Sequence, residues 1–187
     1  MIFLSSPSGN NFRSAIILLC LIAVFMVSCD GKNEKYLAVY FNDMDNYQAW
    51  LDPQPVNVIS DPNAFSGKFV SRIDSLIQYS PTLQVNNRDI GNGTPEKLLV
   101  TAWVKMENIN SRPFIVVEIK DPEGVSRELI NKGFSTVVKD PMRWTKLTCE
   151  IDLRESGRNN EGNYYRVYLH NEQSAFALVD DILICFQ

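Results

Sequence analysis

A segment near the C-terminus carries side chains suited to noncovalent binding. Residues 164–170 alternate between an apolar series and a series of aromatic and polar side chains. The apolar series is Tyr165, Val167 and Leu169, and the other series is Tyr164, Arg166, Tyr168 and His170. Because side chains alternate across a β-strand, the second series shares one face. Aromatic rings stack on the C–H surface of sugars and planar polar groups bind their hydroxyls, so this face predicts sugar binding; an ordinary solvent-exposed face is the alternative.

Motifs for covalent chemistry are absent from the sequence. His170 is the only histidine, which excludes a His-rich metal site and a second catalytic His. There is no Gly-x-Ser-x-Gly elbow, phosphate loop or Cys-x-x-Cys pair. The combination of Gln84, Arg166, Tyr168 and His170 resembles that of jelly-roll polysaccharide lyases, but the surrounding lyase motifs are missing and such enzymes are usually longer. We therefore expect a protein that is not an enzyme, with a small lyase as a remote alternative.

Cys29 is a candidate for lipid attachment. Residues 15–27 form an uncharged apolar run, preceded by the basic Arg13. This run is shorter than the roughly 20 residues of a membrane-spanning helix, and it has the length of a signal-peptide core. The segment Met26-Val27-Ser28-Cys29 resembles the bacterial lipobox, in which the Cys is acylated and becomes the mature N-terminus. The alternatives are an uncleaved anchor and a plain secretory signal with a coincidental Cys.

This interpretation divides the chain into three parts. We predict a signal peptide at 1–28, the lipidated Cys29 and a short polar tether at 29–36, and one domain at 37–187. Cleavage removes one basic residue, Arg13, and no acidic one, so the net charge changes from −4 to −5. An acidic domain is a poor partner for nucleic acid. The lipid would hold the protein on a membrane of the bacterial cell envelope, at the outer membrane or the periplasmic face.

Two cysteines, Cys149 and Cys185, belong to the predicted domain. Cys149 alternates in phase with apolar neighbours and is expected to point into the core. Cys185 has the opposite phase to Ile182, Ile184 and Phe186. If those three face the core, the two thiols diverge and cannot form a bridge. We therefore expect two separate thiols, with a disulfide as the alternative.

The domain is predicted to be all-β, because period-two alternation dominates it. Turn sequences such as Asn92-Gly93 and Asp140-Pro141 separate the alternating segments. No stretch shows a sustained helical period. About nine strands are expected, which favours a two-sheet antiparallel β-sandwich. They lie near 37–44, 67–74, 81–86, 97–106, 113–120, 125–138, 143–153, 164–170 and 178–186.

The order of several short motifs resembles the β-jelly-roll carbohydrate-binding modules with a galactose-binding-domain-like fold. Each motif is weak alone, but together they span residues 37–186. The sequence differs from the family in having Asp45 where Glu is common and His170 where Trp often precedes Asn. The motifs are Phe41-Asn42-Asp43-Met44-Asp45 followed by Trp50, then Ser66-Gly67-Lys68, Tyr79-Ser80, Trp103, Trp144, and Val179-Asp180-Asp181-Ile182.

The jelly-roll resemblance implies how the strands divide between the sheets. The third, eighth, fifth and sixth predicted strands should share one sheet, and their outward residues would form a shallow sugar-binding groove. Phe114 and Val116 are expected to point outward on the same sheet. The predicted ligand-binding residues are Gln84, Asn86, Glu118, Lys120, Arg166, Tyr168 and His170.

The resemblance also implies a structural calcium ion. Its ligands would come from Asp45 in the first strand, the backbone around Ser66 and Lys68, and Asp180 in the last strand. Calcium takes six to eight oxygen ligands, and two adjacent aspartates between apolar residues are unusual unless a cation neutralises them. The alternative is that these aspartates are solvated strand ends.

The tryptophans and one tripeptide complete the candidates. Trp103 is expected to point outward from the other sheet, as a second platform or, in preference, under a loop or the N-terminal segment. Trp50 and Trp144 are expected to be core or loop anchors. Asp74-Ser75-Leu76 fits a short O-glycosylation pattern that also occurs often by chance.

Together these observations predict a non-catalytic, lipid-anchored protein that binds an oligo- or polysaccharide. A structural or assembly lipoprotein that contacts another envelope protein is the alternative from a different class. A mixed polar and aromatic groove favours sugar, whereas a contiguous apolar patch larger than a few hundred Å² favours a protein partner.

Overall fold

The computed structural model describes residues 36–50, 56–133 and 140–187. It is all-β apart from short 3₁₀ turns at Tyr47–Trp50, Asn87–Asp89 and Glu155–Gly157. Ten strands lie in the described residues, against about nine predicted. They are β1 Ala38–Asn42, β2 Val58–Ser60, β3 Phe69–Ile73, β4 Leu83–Asn86, β5 Lys97–Met106, β6 Phe114–Lys120, β7 Ser126–Gly133, β8 Thr145–Asp152, β9 Tyr164–His170 and β10 Ala177–Phe186.

The strands form two antiparallel sheets, as the sandwich prediction requires. One sheet has the order β2-β3-β10-β5-β8, with β1 also paired to β10. The other has the order β4-β9-β6-β7. The second order confirms the predicted grouping of the third, eighth, fifth and sixth strands.

The strand that the sequence missed is β2. It has three residues and pairs with β3 through Val58 and Ser71. Three residues are too few for a period-two pattern to stand out. The predicted strand at 125–138 is described only as far as Gly133, since residues 134–139 lie outside the described part.

The core lies between the two sheets and is built from the inward series of each strand. In β9, Tyr165, Val167 and Leu169 are buried, while the residues between them are partly exposed. A shift of β9 by one residue would expose this series and turn Arg166 inward. Each exposed large apolar side chain costs about 1.5–3 kcal/mol, so the core fixes which side chains of β9 point outward.

The two cysteines of the domain behave as predicted. Both are buried and neither forms a disulfide. Cys149 belongs to the core between the sheets. Cys185 lies on β10, where it is opposite Val39 of β1 and Leu99 of β5. Ile184 and Phe186 do face the core, so the two thiols lie on opposite faces of the sheet.

Candidate functional site

The candidate site is the outer face of the four-stranded sheet. Strand register places Gln84 opposite Arg166 and Arg166 opposite Glu118. Lys120 and Asn86 lie opposite Tyr164 in the next row of the sheet. The predicted ligand-binding residues of β4, β6 and β9 are therefore brought together on one surface, which we call the outer face.

Glu118 is the centre of a polar network on this face. Its carboxylate lies 3.1 Å from Arg166 Nη1 and 3.4 Å from Lys120 Nζ. It also accepts a 3.0 Å hydrogen bond from Ser126 Oγ. The side chains of Glu118, Arg166 and Lys120 are only 13%, 16% and 18% exposed. These groups are held in place before any ligand arrives, which lowers the entropy cost of binding.

Next to the network lies an aromatic strip formed by Tyr79, Phe114, Tyr168 and His170. The Tyr79 and Tyr168 rings meet edge to face, with centroids 5.5 Å apart. His170 lies 5.0 Å from Tyr79 and 4.9 Å from Phe114, measured between ring centroids. Such contacts add about 0.5–1.5 kcal/mol per aromatic pair and fix the ring planes.

Tyr79 is a site residue that the sequence analysis did not assign. It precedes β4 and reaches the site through an isolated bridge to His170. Gln78 beside it places Oε1 3.3 Å from His170 Nε2. Period-two alternation could not find either residue, because they lie outside the regular strands. The Tyr79-Ser80 motif was noticed only as the start of a strand.

Two residues of the strip, His170 and Tyr168, have pKa values shifted toward their neutral forms. Burial lowers the pKa of His170, against a smaller opposing effect of Glu172. Burial raises the pKa of Tyr168, and the negative charge of Glu118 adds to this effect. A raised phenol pKa disfavours the phenolate, so Tyr168 is poorly suited to act as a general base near neutral pH.

One expectation for this face needs correction, and one predicted residue has an additional role. Val116 has the outward position in β6, but it is only 2% exposed. It lies opposite Tyr168 and between Phe114 and Glu118 along its strand, and these larger side chains surround it. Asn86 has a structural task, since its side chain accepts a hydrogen bond from the Arg88 backbone N–H and caps the 3₁₀ turn.

A second cluster forms where β1, the loop before β3 and the bulge of β10 meet. The Ser66 backbone N–H donates to Asp180 Oδ2 at 3.0 Å, and Ser66 Oγ donates to Asp181 Oδ1 at 2.6 Å. The Lys68 backbone N–H donates to Asp45 Oδ2 at 3.2 Å. The structure thus brings together all four residues that the resemblance implied for calcium.

The backbone of this cluster has an unusual conformation at Gly67 and Asp181, where the chain segments pack closely together. A Cβ on Gly67 would lie 2.0 Å from Asp45 Oδ2, so only glycine allows this carboxylate to close over the loop. Asp181 has φ +45° at the register shift between Asp180 and Leu183. The bulge directs two consecutive carboxylates toward Ser66, and bulges are a known means of re-aiming side chains.

The cluster is electrostatically unusual because its negative charge is buried. Asp180 is 0% exposed, and burial raises its pKa to about 6. Burial also raises the pKa of Asp181, and the nearby charges of Asp43 and Asp45 add to this effect. Within the described residues, no Lys or Arg forms an ion pair with these four carboxylates.

The side chains of this cluster could supply only some of the ligands that a cation needs. Asp180 Oδ2 accepts from the Ser66 backbone N–H and Oδ1 accepts from the Asp181 backbone N–H, and the Phe65 backbone is a third hydrogen-bond partner of this carboxylate. In the part of the chain that the structure describes, no three residues among His, Cys, Asp and Glu form a group that could hold a metal ion. Calcium would therefore need backbone carbonyls for most of its ligands.

The tryptophans have three different environments. Trp50 is buried in the core, as expected for an anchor. Trp103 points outward from the six-stranded sheet and is covered by a loop residue, Phe65, whose ring stacks on it at 3.9 Å. Trp144 is partly exposed and donates its indole N–H to the Asn63 carbonyl at 2.9 Å. Trp103 is therefore not an open platform.

Asp74-Ser75-Leu76 lies in a surface turn. Asp74 Oδ1 accepts the backbone N–H of Leu76, whose side chain is exposed. The O-glycosylation of this tripeptide stays a prediction. Cys29 and the rest of residues 1–35 lie outside the described residues. None of the helices in the described part is long and apolar enough to cross a membrane.

Comparison with known proteins identifies related folds only. No protein-family model matches the sequence, and no curated protein is a significant match. Among solved structures, the CBM22-2 xylan-binding domain from Paenibacillus barcinonensis Xyn10C is similar, with a TM-score of 0.55 and 13% sequence identity. The match covers 81% of this chain and 99% of that domain. The tandem CBM22-1–CBM22-2 structure from the same protein has a TM-score of 0.54 and 17% identity, covering 85% of this chain and 47% of the tandem.

A further xylan-binding domain from family 22 of the carbohydrate-binding modules has a TM-score of 0.50 and 14% identity, over 83% of this chain and 97% of that domain. Identities this low establish the shared β-sandwich fold alone. They confirm the predicted fold class, and they leave the binding residues to be argued from the geometry above.

Proposed function

We propose that this chain is a non-catalytic carbohydrate-binding protein of the bacterial cell envelope, and that the outer face binds an oligo- or polysaccharide. The observation that carries the proposal is the aromatic strip lying beside the network of Glu118, Arg166 and Lys120 on one sheet. The strip offers apolar surface for sugar C–H groups, and the network offers charged hydrogen-bonding groups for hydroxyls.

Two further observations support this function. Two of the similar solved domains, with TM-scores of 0.55 and 0.50, are described as xylan-binding, which favours a polysaccharide as the class of ligand. The absence of catalysis is supported by the presence of a single histidine and by the raised pKa of Tyr168, which disfavours a phenolate base.

The proposal includes a lipid anchor at Cys29, which rests on the apolar run 15–27 and the motif Met26-Val27-Ser28-Cys29. Residues 1–28 would be removed, and 29–36 would form a tether that keeps the domain near its membrane. One acyl chain gives only marginal membrane binding, so stable anchoring requires more than one chain at the Cys.

The proposal also includes a structural calcium ion at the second cluster. Asp45 and Asp180 would supply carboxylate oxygens, which accept the backbone N–H groups of Lys68 and Ser66 in the structure. Backbone carbonyls around Ser66 and Lys68 would supply the other ligands. The ion would neutralise the buried negative charge of Asp180 and Asp181 and tie the first strand to the last. The ion would stabilise the fold and would not contact the ligand, because the cluster lies on the sheet opposite to the outer face.

A glycan array followed by calorimetry tests the function. The mature protein should bind at least one polysaccharide, and Tyr168→Ala should weaken that binding about tenfold, as expected for the loss of one stacking ring. Val39→Ala, which removes an exposed apolar side chain from β1 in the other sheet, is the control and should bind normally. Unchanged affinity of Tyr168→Ala for an identified ligand would show that the outer face is not the site.

A further inference from the structure

A cavity open to solvent lies on the six-stranded sheet, at one end of β5 and β8. It has a volume of about 530 Å³, within the range of about 300–1,000 Å³ that is usual for small-molecule sites. We call it the Trp144 pocket. Its lining residues are Asn63, Lys105, Met142, Arg143 and Trp144.

The indole ring of Trp144 has a fixed orientation in this pocket. Its N–H donates to the Asn63 carbonyl, and the Phe65 ring contacts it edge to face, with centroids 6.1 Å apart. Phe65 is itself stacked on Trp103. A ring that is already held in place loses little entropy when a ligand stacks on it.

The charged residues of the pocket lining are both cations. Lys105 Nζ lies 5.0 Å from the Trp144 ring centroid and 3.9 Å from Asp61 Oδ2. Arg143 is 80% exposed, and its Nε lies 3.9 Å from Asp140 Oδ2. The two 3.9 Å distances from a cation to a carboxylate oxygen exceed the roughly 2.7–2.9 Å of a charge-assisted hydrogen bond. Lys105 and Arg143 therefore retain N–H donors for another acceptor.

The combination of ring and cations selects a class of ligand. An inorganic anion would bind the remaining donors of Lys105 and Arg143 but make no use of the Trp144 ring. A neutral sugar would stack on Trp144 but make no use of the positive charge of Lys105 and Arg143, which their 3.9 Å ion pairs with Asp61 and Asp140 leave able to bind a further acceptor. A sugar ring that carries a carboxylate uses both. We therefore infer that the Trp144 pocket binds an acidic saccharide, one containing uronic acid units, independently of the outer face.

The test uses the mature protein and two matched probes, trigalacturonic acid and its methyl ester, which differ in carboxylate charge. Calorimetry and tryptophan fluorescence should show binding of the acid, and the ester should bind about tenfold more weakly. Arg143→Glu should weaken binding of the acid about tenfold, because attraction becomes repulsion. Arg143 is exposed, so this change should leave the fold intact.

The controls separate this pocket from other sites. Arg88→Glu makes the same charge change at an exposed position after β4 and should bind the acid normally. Tyr168→Ala should also bind it normally. The inference is overturned if no binding of the acid is detected at about 10 mM, if the ester binds equally well, if Arg143→Glu has no effect, or if Tyr168→Ala abolishes binding.

Discussion

Calcium removal is expected to destabilise the protein through one buried carboxyl group. Asp180 is fully buried, and its pKa is raised from the usual 3.8 to about 6. A shift of that size corresponds to about 3 kcal/mol of unfavourable burial of the charged form. A bound cation would remove most of this cost. At a hundredfold excess over its Kd, calcium should add about 2.7 kcal/mol to the free energy of unfolding.

The effect should depend on pH in a defined direction. Because the folded pKa of Asp180 is raised, the metal-free folded protein holds a proton that the unfolded chain releases near pH 3.8. The contribution of Asp180 to stability is therefore present below about pH 4 and is lost as the pH rises through about 6. Asp181 shifts in the same direction. Protons compete with calcium for these groups, so calcium should stabilise little at pH 4 and fully above pH 6.

Scanning calorimetry of the mature protein in calcium and in chelator measures this difference. For a domain of this size, 2.7 kcal/mol corresponds to a rise in Tm of about 5–10 °C. Asp180→Asn should abolish the calcium increment, while Asp89→Asn, at an exposed position, should keep it. Groups outside this cluster titrate alike in both buffers and cancel from the difference. Coincident melting curves at pH 7, or a full increment in Asp180→Asn, would refute the argument.

Two further predictions concern the anchor and the far end of the sheet. Cys29→Ala should release the protein from membranes or leave residues 1–28 attached, as judged by fractionation and mass spectrometry; finding these residues on the wild-type protein in its host would contradict the proposal. The Arg158 guanidinium is largely shielded from solvent and donates to both the Glu128 carboxylate and the Asp152 carbonyl. Arg158→Ala should therefore lower the free energy of unfolding, measured by denaturant titration, by about 1–3 kcal/mol. Arg127→Ala, which removes a more exposed ion pair with Asp121, should cost less than about 1 kcal/mol.

Alternation along the strands predicted much of the fold, because a buried sheet face constrains every second residue. The inward series of β9 and its outward partners Arg166, Tyr168 and His170 are placed as expected. The strand β2 escaped prediction because it is short and is defined by its pairing with β3. Strand pairing is a property of two segments together, and the pattern within one three-residue segment does not contain it.

The sequence predicted the site residues that lie on strands, but it did not identify those that lie in loops. Tyr79 and Gln78 reach His170 from a segment without regular alternation, so only the three-dimensional contacts identify them. The sequence did not reveal that Asn86 caps a 3₁₀ turn, and its contact with ligand stays a prediction. The convergence of Asp45 and Asp180 could be expected only from a family resemblance, since 134 intervening residues and a bulge separate them.

The burial of Val116 has a consequence for testing the outer face. Since Val116 lies opposite Tyr168 and is almost fully buried, truncating Tyr168 should uncover apolar surface as well as remove a stacking ring. Tyr168→Ala should therefore cost about 2 kcal/mol of stability in addition to affinity, about half the usual loss for a fully buried aromatic residue.

Tyr168→Phe separates these two effects. It keeps the ring that covers Val116 and that meets Tyr79 edge to face, and it removes only the hydroxyl. If stacking carries the binding, Tyr168→Phe should retain the wild-type Tm and lose less than about threefold in affinity, whereas Tyr168→Ala loses both. Equal losses of affinity in the two variants, measured by calorimetry at matched folded fractions, would show that the hydroxyl carries the binding and that the ring serves only to cover the sheet.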